Sequence, residues 1–356
     1  MKNPFKFGTI VEGEFFTDRV QELREIQQLL NSENHLVLIS PRRFGKSSLV
    51  INAVKQTSRP YIMLNLQNVT STEDFAARLL KALFKLYPWE KLKHLMKHFR
   101  IVPTITTNPV TDGVEVSFQP VVDTNVLLED AMDMLEKAST PENRLVVILD
   151  EFQEVTQIAK GLDKKLRAIM QQQNQLNYIF LGSQESMMEE IFERKKSPFY
   201  HFGTLMRLGK IPYTDFFDYI TERLSPVFPS THKSIAESIL QFTSQHPYYT
   251  QQLSSQVWEL GYYEQEVNDV VSLAIDRQVH VHDLDFERLW VRFNRMDKRM
   301  MLILSQSQNP LQDHRLPTST AFSAIKRLMK TGFVIRTDNY EIEDPFFKLW
   351  IIKNAA

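Results

Sequence analysis

Two short stretches of the chain carry residue types that could handle a phosphate. Residues 40–48 read Ser-Pro-Arg-Arg-Phe-Gly-Lys-Ser-Ser. Against the pattern G-x-x-x-x-G-K-[ST], Gly45, Lys46 and Ser47 match, and Ser40 stands at the first position, which tolerates other small residues. Such a loop converges backbone N–H groups on a β-phosphate and leads into a helix whose positive end faces the anion. In that chemistry Gly45 permits close backbone approach, Lys46 reaches the β- and γ-phosphates, the Ser47 hydroxyl ligates Mg²⁺, and Ser48 caps or binds more peripherally. The second stretch, Leu145–Leu149, runs directly into Asp150 and Glu151. A carboxylate ending a buried strand is costly unless it is paired or faces a cation. Asp150 is therefore the expected Mg²⁺ residue, and Glu151 the one that polarises an attacking water. Tyr178–Leu181 ends in Gly182-Ser183-Gln184, which makes Ser183 a candidate for orienting that water; an ordinary turn serine is the other reading.

These groups need a scaffold that brings strand ends together. Leu36–Ser40, Tyr61–Leu66, Leu145–Leu149 and Tyr178–Leu181 are short apolar runs, as expected of strands buried on both faces. Helix-period segments lie between them at Ser47–Gln56, Glu73–Tyr87, Asn125–Lys137 and Leu162–Gln173. This alternation predicts an α/β fold: a parallel sheet with helices on both faces. Residues 101–120, with Asp112-Gly113 as a turn and Val114, Val116 and Phe118 on one face, predict an inserted β-hairpin. From Thr214 the pattern is helical. Helices are expected at Met296–Ser305 and at Thr318–Lys330, the latter capped by Thr318 or Ser319. A small hairpin, Phe333–Arg336 and Asn339–Ile342, then turns at Asp338-Asn339. Helix, helix and β-wing is the order of a winged helix-turn-helix. The expected division is a P-loop core at 1–212, an α-helical lid at 213–285 and a winged helix at 286–356.

Composition narrows the class. The chain has 356 residues, 43% hydrophobic and 24% charged, which suits two or three globular domains. With no cysteine, disulfides, thiolate metal sites and cysteine nucleophiles are excluded. The N-terminal stretch lacks a continuous apolar region and a small-residue cleavage site, and no apolar run is long enough for a membrane helix. The expectation is a cytoplasmic protein without a membrane partner. The net charge of −1 hides a basic C-terminal region, where Leu289–Ala356 holds eleven Lys or Arg against six Asp or Glu. Such a region suits nucleic acid or an acidic partner, and equally a solvated surface.

With these residues placed, the chain resembles the archaeal-type ATPase family, in the STAND branch of the AAA+ P-loop ATPases. Phe16-Thr17-Asp18-Arg19 with Glu22-Leu23 is similar to the family's F-x-x-R-x-x-E-L segment, and Pro41–Ser48 to its P-R-R-x-G-K-[ST]-S loop. Leu149-Asp150-Glu151-Phe152-Gln153-Glu154 is similar to its D-E-[FW]-Q, and Gly182-Ser183 with Met187-Met188 to its G-S-x-x-x-M-M. Ser197-Pro198-Phe199-Tyr200, His246-Pro247-Tyr248-Tyr249 and Asp344-Pro345 with Trp350 complete the series. The resemblance implies ATP rather than GTP. It places Arg19 near the base, and Pro41, Arg42, Arg43, Phe44, Gly45, Lys46, Ser47, Ser48, His246 and Pro247 around the nucleotide. Glu151, Lys46 and Ser183 would be catalytic, with Ser47 and Asp150 on Mg²⁺.

Where many family members carry Gly-Arg after the S-P-L-Y segment, this chain has His201-Phe202. The missing arginine puts activation in trans in doubt, unless Arg167 or Arg207 substitutes; a solvated helix face is the other reading of Arg167. Ser323, Lys326, Arg327 and Lys330 share one face of Thr318–Lys330, opposite Phe322, Ile325, Leu328 and Met329. That basic face suits DNA phosphates, while an intramolecular or protein contact is the alternative. The implied function is a nucleotide-driven conformational switch, with self-association among its expected consequences. The rival is a DNA-binding or scaffold protein that holds ATP with negligible turnover.

Overall fold

The computed structural model describes residues 1–95, 104–108, 113–117, 124–264, 269–312, 317–337 and 339–355. In chain order the first helices and strands are α1 (Val20–Leu30), β1 (Leu36–Ile39), α2 (Lys46–Gln56), β2 (Tyr61–Asn65), α3 (Thr72–Leu86) and α4 (Trp89–Leu92). There follow β3 (Thr104–Asn108), β4 (Gly113–Ser117), α5 (Thr124–Ala138), β5 (Leu145–Asp150), α6 (Val155–Ile158), α7 (Leu162–Met170), β6 (Leu176–Gly182), α8 (Glu185–Phe192) and β7 (Thr204–Arg207). Five helices come next, α9 (Tyr213–Leu224), α10 (His232–Thr243), α11 (Pro247–Tyr263), α12 (Val270–Val281) and α13 (Asp283–Arg292). The chain ends with α14 (Arg295–Ser305), α15 (Thr318–Lys330), β8 (Val334–Arg336), β9 (Tyr340–Ile342) and α16 (Pro345–Asn354).

The chain groups into two compact units. One is Met1–Arg19, Pro41–Ser48 and Gly209–Ala356; the other is Val20–Ser40 and Leu49–Leu208.

The unit of residues 20–40 and 49–208 is built on a parallel sheet of order β2-β5-β6-β1-β7. Val37 and Ile39 of β1, Val147 and Leu149 of β5, and Tyr178 and Phe180 of β6 join one core with α3, α5 and α7. The alternate residues Leu36, Leu38, Val146, Ile148, Ile179 and Leu181 are buried too, so both faces of the central strands are covered. The edge strand β2 instead alternates buried and half-buried positions. The other edge, β7, is mostly exposed, which is why Thr-Leu-Met-Arg carries no apolar run and escapes sequence reading. The expected hairpin exists as the antiparallel pair β3–β4, in register from Thr104 opposite Ser117 to Asn108 opposite Gly113. Its expected turn residue Asp112 and face residue Phe118 lie outside the described residues.

In the other unit, α9–α16 and the N-terminal Phe5 share a single core that includes Phe216, Trp258, Met300, Leu328, Phe346 and Trp350. Helix starts there follow ordinary capping rules: Asn294 accepts from Met296 N and Asp297 N, and Asp344 accepts from Phe346 N and Phe347 N. The α15 cap is a correction. The helix begins at Thr318 with Pro317 at the cap position, and proline has no side-chain oxygen to accept an amide there. The apolar face of α15 is corrected as well: Ala321, Ala324, Ile325 and Leu328 are buried, whereas Phe322 is 51% exposed. The small alanines let α15 pack closely on α14 and turn Phe322 outward. β8 and β9 pair antiparallel, with the expected turn residue Asp338 outside the described residues. Among the described residues, no helix is long and apolar enough to cross a membrane.

Candidate nucleotide-binding site

Parallel strands place all their carboxyl ends on one edge of the sheet, and Asp150, Glu151 and Ser183 stand at that edge. β6 lies between β1 and β5, with Gly182 in register with Ile39 and Phe180 with Leu149. Loop 40–45 leaves the end of β1, Asp150 closes β5, and Ser183 follows β6. Asp150 is buried, and its Oδ1 accepts the Glu151 amide at 2.9 Å. Glu151 itself adopts a left-handed backbone, φ 53. Non-glycine residues hold that conformation at a cost, and functional sites are where such strain collects. Its Oε2 accepts from the Ser183 hydroxyl at 2.7 Å and from the Gln153 amide. Two buried donors on one oxygen fix how this carboxylate points. Ser183 thus bonds the Glu151 carboxylate, and Gln153, legible only as a motif letter, bonds the same oxygen.

Gly182 is explained by the same neighbourhood. A Cβ on it would overlap the side chain of Met188, which is fully buried. The small residue lets α8 fold back onto the strand end that carries Ser183.

Residues 41–48, the loop after β1 and the first turn of α2, belong to the other unit. Gly45 has φ 88 and open space where a Cβ would stand, so its backbone can meet a phosphate closely. Lys46 is buried, and its Nζ donates to the Pro41 carbonyl at 3.3 Å. Phe44 is buried, edge-on to the His246 ring at 4.9 Å. Arg42 is exposed, with Gly332 beside it. Arg43 donates to the Tyr249 hydroxyl at 2.8 Å. Ser48 Oγ accepts from the Val11 amide at 3.0 Å, tying down the N-terminal segment. Arg19 is buried and donates to the Gly209 carbonyl at 2.6 Å.

His246 precedes Pro247, the first residue of α11, where a missing N–H costs nothing. The sequence shows no acid at ligand spacing around His246, yet the fold brings Glu343 Oε1 to 3.5 Å from its Nε2. Burial pushes the imidazole below its usual pKa, with Glu343 opposing.

The substitutes for the missing arginine are engaged elsewhere. The Arg167 guanidinium lies 4.2 Å over the ring of Phe202, the residue at the altered position, and donates to Gln171. Arg207 pairs with Glu189 at 3.0 Å and Glu193 at 3.1 Å.

Nucleoside triphosphate and Mg²⁺ fit these residues. The loop offers a glycine with room for an anion beside a buried lysine. Among the described residues no group of three or more acids and histidines could hold a metal alone. Mg²⁺ of nucleotide sites takes one or two protein oxygens beside phosphate and water, and Ser47 and Asp150 are oxygen donors of that type.

A family of ATPase domains found predominantly in Archaea matches residues 16–253, and the chain belongs to it. No curated protein matches the chain. A Walker-type ATPase of Pyrococcus abyssi is 16% identical with a TM-score of 0.65, covering 98% of this chain and 99% of its own. The ORC2 protein of Aeropyrum pernix, solved as ADPNP–ADP complexes, is 12% identical with a TM-score of 0.57, covering 98% of each chain. The RuvB protein of Thermotoga maritima is 12% identical with a TM-score of 0.50, covering 96% of this chain and 97% of its own. At such identities the likeness is one of fold: a P-loop NTPase sheet with a helical C-terminal region.

Proposed function

We propose that this chain is a Mg-dependent ATPase of the STAND branch, acting as a nucleotide-driven switch built from a core at 1–212, a helical lid at 213–285 and a winged helix at 286–356. The observation that carries the reading is the Glu151 carboxylate, held by Ser183 and Gln153 at the strand edge from which loop 40–45 departs. Lys46 and the loop amides hold the β- and γ-phosphates, and Arg42, Arg43 and Ser48 shape the loop. Arg19, His246 and Pro247 belong to the base and lid side. Ser47 and Asp150 are the oxygens for Mg²⁺, which when bound neutralises phosphate charge. Glu151 takes the proton of the attacking water, and Ser183 holds Glu151 in place.

Phe202 in place of an arginine supports slow turnover without a partner. It also keeps in view a scaffold that holds ATP as a structural ligand. For a partner, the exposed face of α15 offers Phe322, Ser323, Lys326 and Lys330, whereas Arg327 is held by the buried Asp297. Two available cations suit a modest, salt-sensitive DNA contact or an acidic protein surface.

Phosphate release with Mg-ATP, measured beside Lys46→Ala and Glu151→Gln, tests the assignment. Glu151→Gln should bind ATP normally and release phosphate roughly 100-fold more slowly; Lys46→Ala should lose binding. ATP that stabilises wild type against heat without phosphate release would favour the scaffold, and no binding at all would sink both readings.

A further inference from the structure

Arg43 is a loop residue with a left-handed backbone, φ 61. A residue with a Cβ keeps that conformation only where its surroundings over-determine it. Here the surroundings can be named. The guanidinium lies 4.7 Å over the Tyr248 ring and donates at 2.8 Å to the Tyr249 hydroxyl. Tyr249 is buried, and its hydroxyl donates in turn to Glu343 Oε2 at 2.7 Å. A hydroxyl that accepts from a cation and donates to an anion makes two charge-assisted bonds, the strong kind. Glu343 is itself fixed, since its amide donates to the Phe333 carbonyl at 3.0 Å beside the hairpin β8–β9. Two residues earlier on β9, Glu341 pairs with Lys210 at 2.8 Å, so the hairpin's acids grip this unit at two places. The next loop residue, Phe44, is anchored against His246 at the head of the same helix.

We propose that Tyr249 and Glu343 are positioning residues for the phosphate-binding loop: through Arg43 they hold its backbone in the left-handed form, so ATP affinity depends on the C-terminal hairpin. The inference rests on the nucleotide-binding reading above. It assigns Arg43 a loop-shaping role, with its side chain acting as a handle. It also gives Glu343, silent in sequence, a function at long range.

Glycine adopts the left-handed region without cost, which supplies the test. Mg-ATP affinity is measured by calorimetry for the full chain, Tyr249→Phe, Glu343→Gln, and the same changes combined with Arg43→Gly, with melting temperature without nucleotide as the folding control. Either substitution alone should weaken binding about tenfold, or about 1.4 kcal/mol. Turnover at saturating ATP should be unchanged. In the Arg43→Gly background both should have less than about a twofold effect, because the handle is gone and the backbone is already free. Equal losses in both backgrounds, or no loss in the parent, would overturn the proposal; Tyr249→Phe decides if Glu343→Gln fails to fold. A parent chain that binds no Mg-ATP would sink the nucleotide reading itself.

Discussion

The hydroxyl of Ser183 donates to Glu151 Oε2 at 2.7 Å, joining the residues that follow two neighbouring strands, β5 and β6. β5 and β6 are adjacent parallel strands, so the sheet brings the residues that follow them within reach of each other. Glu151 reaches it from a left-handed backbone, which turns the carboxylate away from the path the strand would otherwise follow. A base must point at its proton before its basicity matters.

Ser183→Ala should therefore act on chemistry and leave binding alone. Gln153 remains on the same oxygen, so the carboxylate is loosened but not released. Phosphate release at saturating Mg-ATP should fall roughly tenfold, at the mild end of positioning effects. The dissociation constant should stay within about twofold. A variant that binds ATP poorly but turns over at the parental rate would assign Ser183 to the nucleotide instead.

What could be read in advance was what is local along the chain. Gly45-Lys46-Ser47 and Asp150-Glu151 are defined by neighbours in sequence, and buried central strands announce themselves as apolar runs. The edge strand β7 does not, because it pairs on one side only and most of its side chains meet water. Side-chain partners were illegible for a different reason. Nothing in Tyr249 or Glu343 singles out Arg43, since the three meet only after α11 and the β8–β9 hairpin have folded. His35 likewise reads as an ordinary residue before a strand until Tyr178 and Phe202 close around it.

Gly182→Ala should destabilise the unit that carries the sheet. The new methyl group would occupy the space of the Met188 side chain, and a fully buried methionine has little room to retreat. Overpacking of this kind costs about 1–3 kcal/mol. Adding Met188→Ala to Gly182→Ala vacates the space, so the pair should be less than additive, whereas each alone destabilises. Denaturant titration of the four proteins checks the cycle; strict additivity would mean that the strand end shifts instead of clashing.

His35 supplies a pH dependence whose sign follows from its contacts. Its ring packs against Tyr178 at 5.3 Å and Phe202 at 4.6 Å, and its Nδ1 accepts the Tyr178 amide at 3.3 Å. Protonation would remove that acceptor, and burial with nearby Arg167 lowers the pKa to about 4. The folded chain therefore takes up this proton later than the unfolded one, whose histidine titrates near 6.5. Stability from the neutral ring is complete above pH 6.5 and is lost progressively as pH falls toward 4. By pH 5 the loss should reach about 2 kcal/mol. Asp344 works in the opposite direction, because burial pushes its carboxyl up to about 6 and acid favours its folded form. Comparison with His35→Gln cancels that term, since Asp344 is common to both proteins. Between pH 7 and 5 the parent should lose about 2 kcal/mol more than His35→Gln in chemical denaturation. Equal slopes would mean that the ring is hydrated in solution, and that Tyr178 and Phe202 do not seal it.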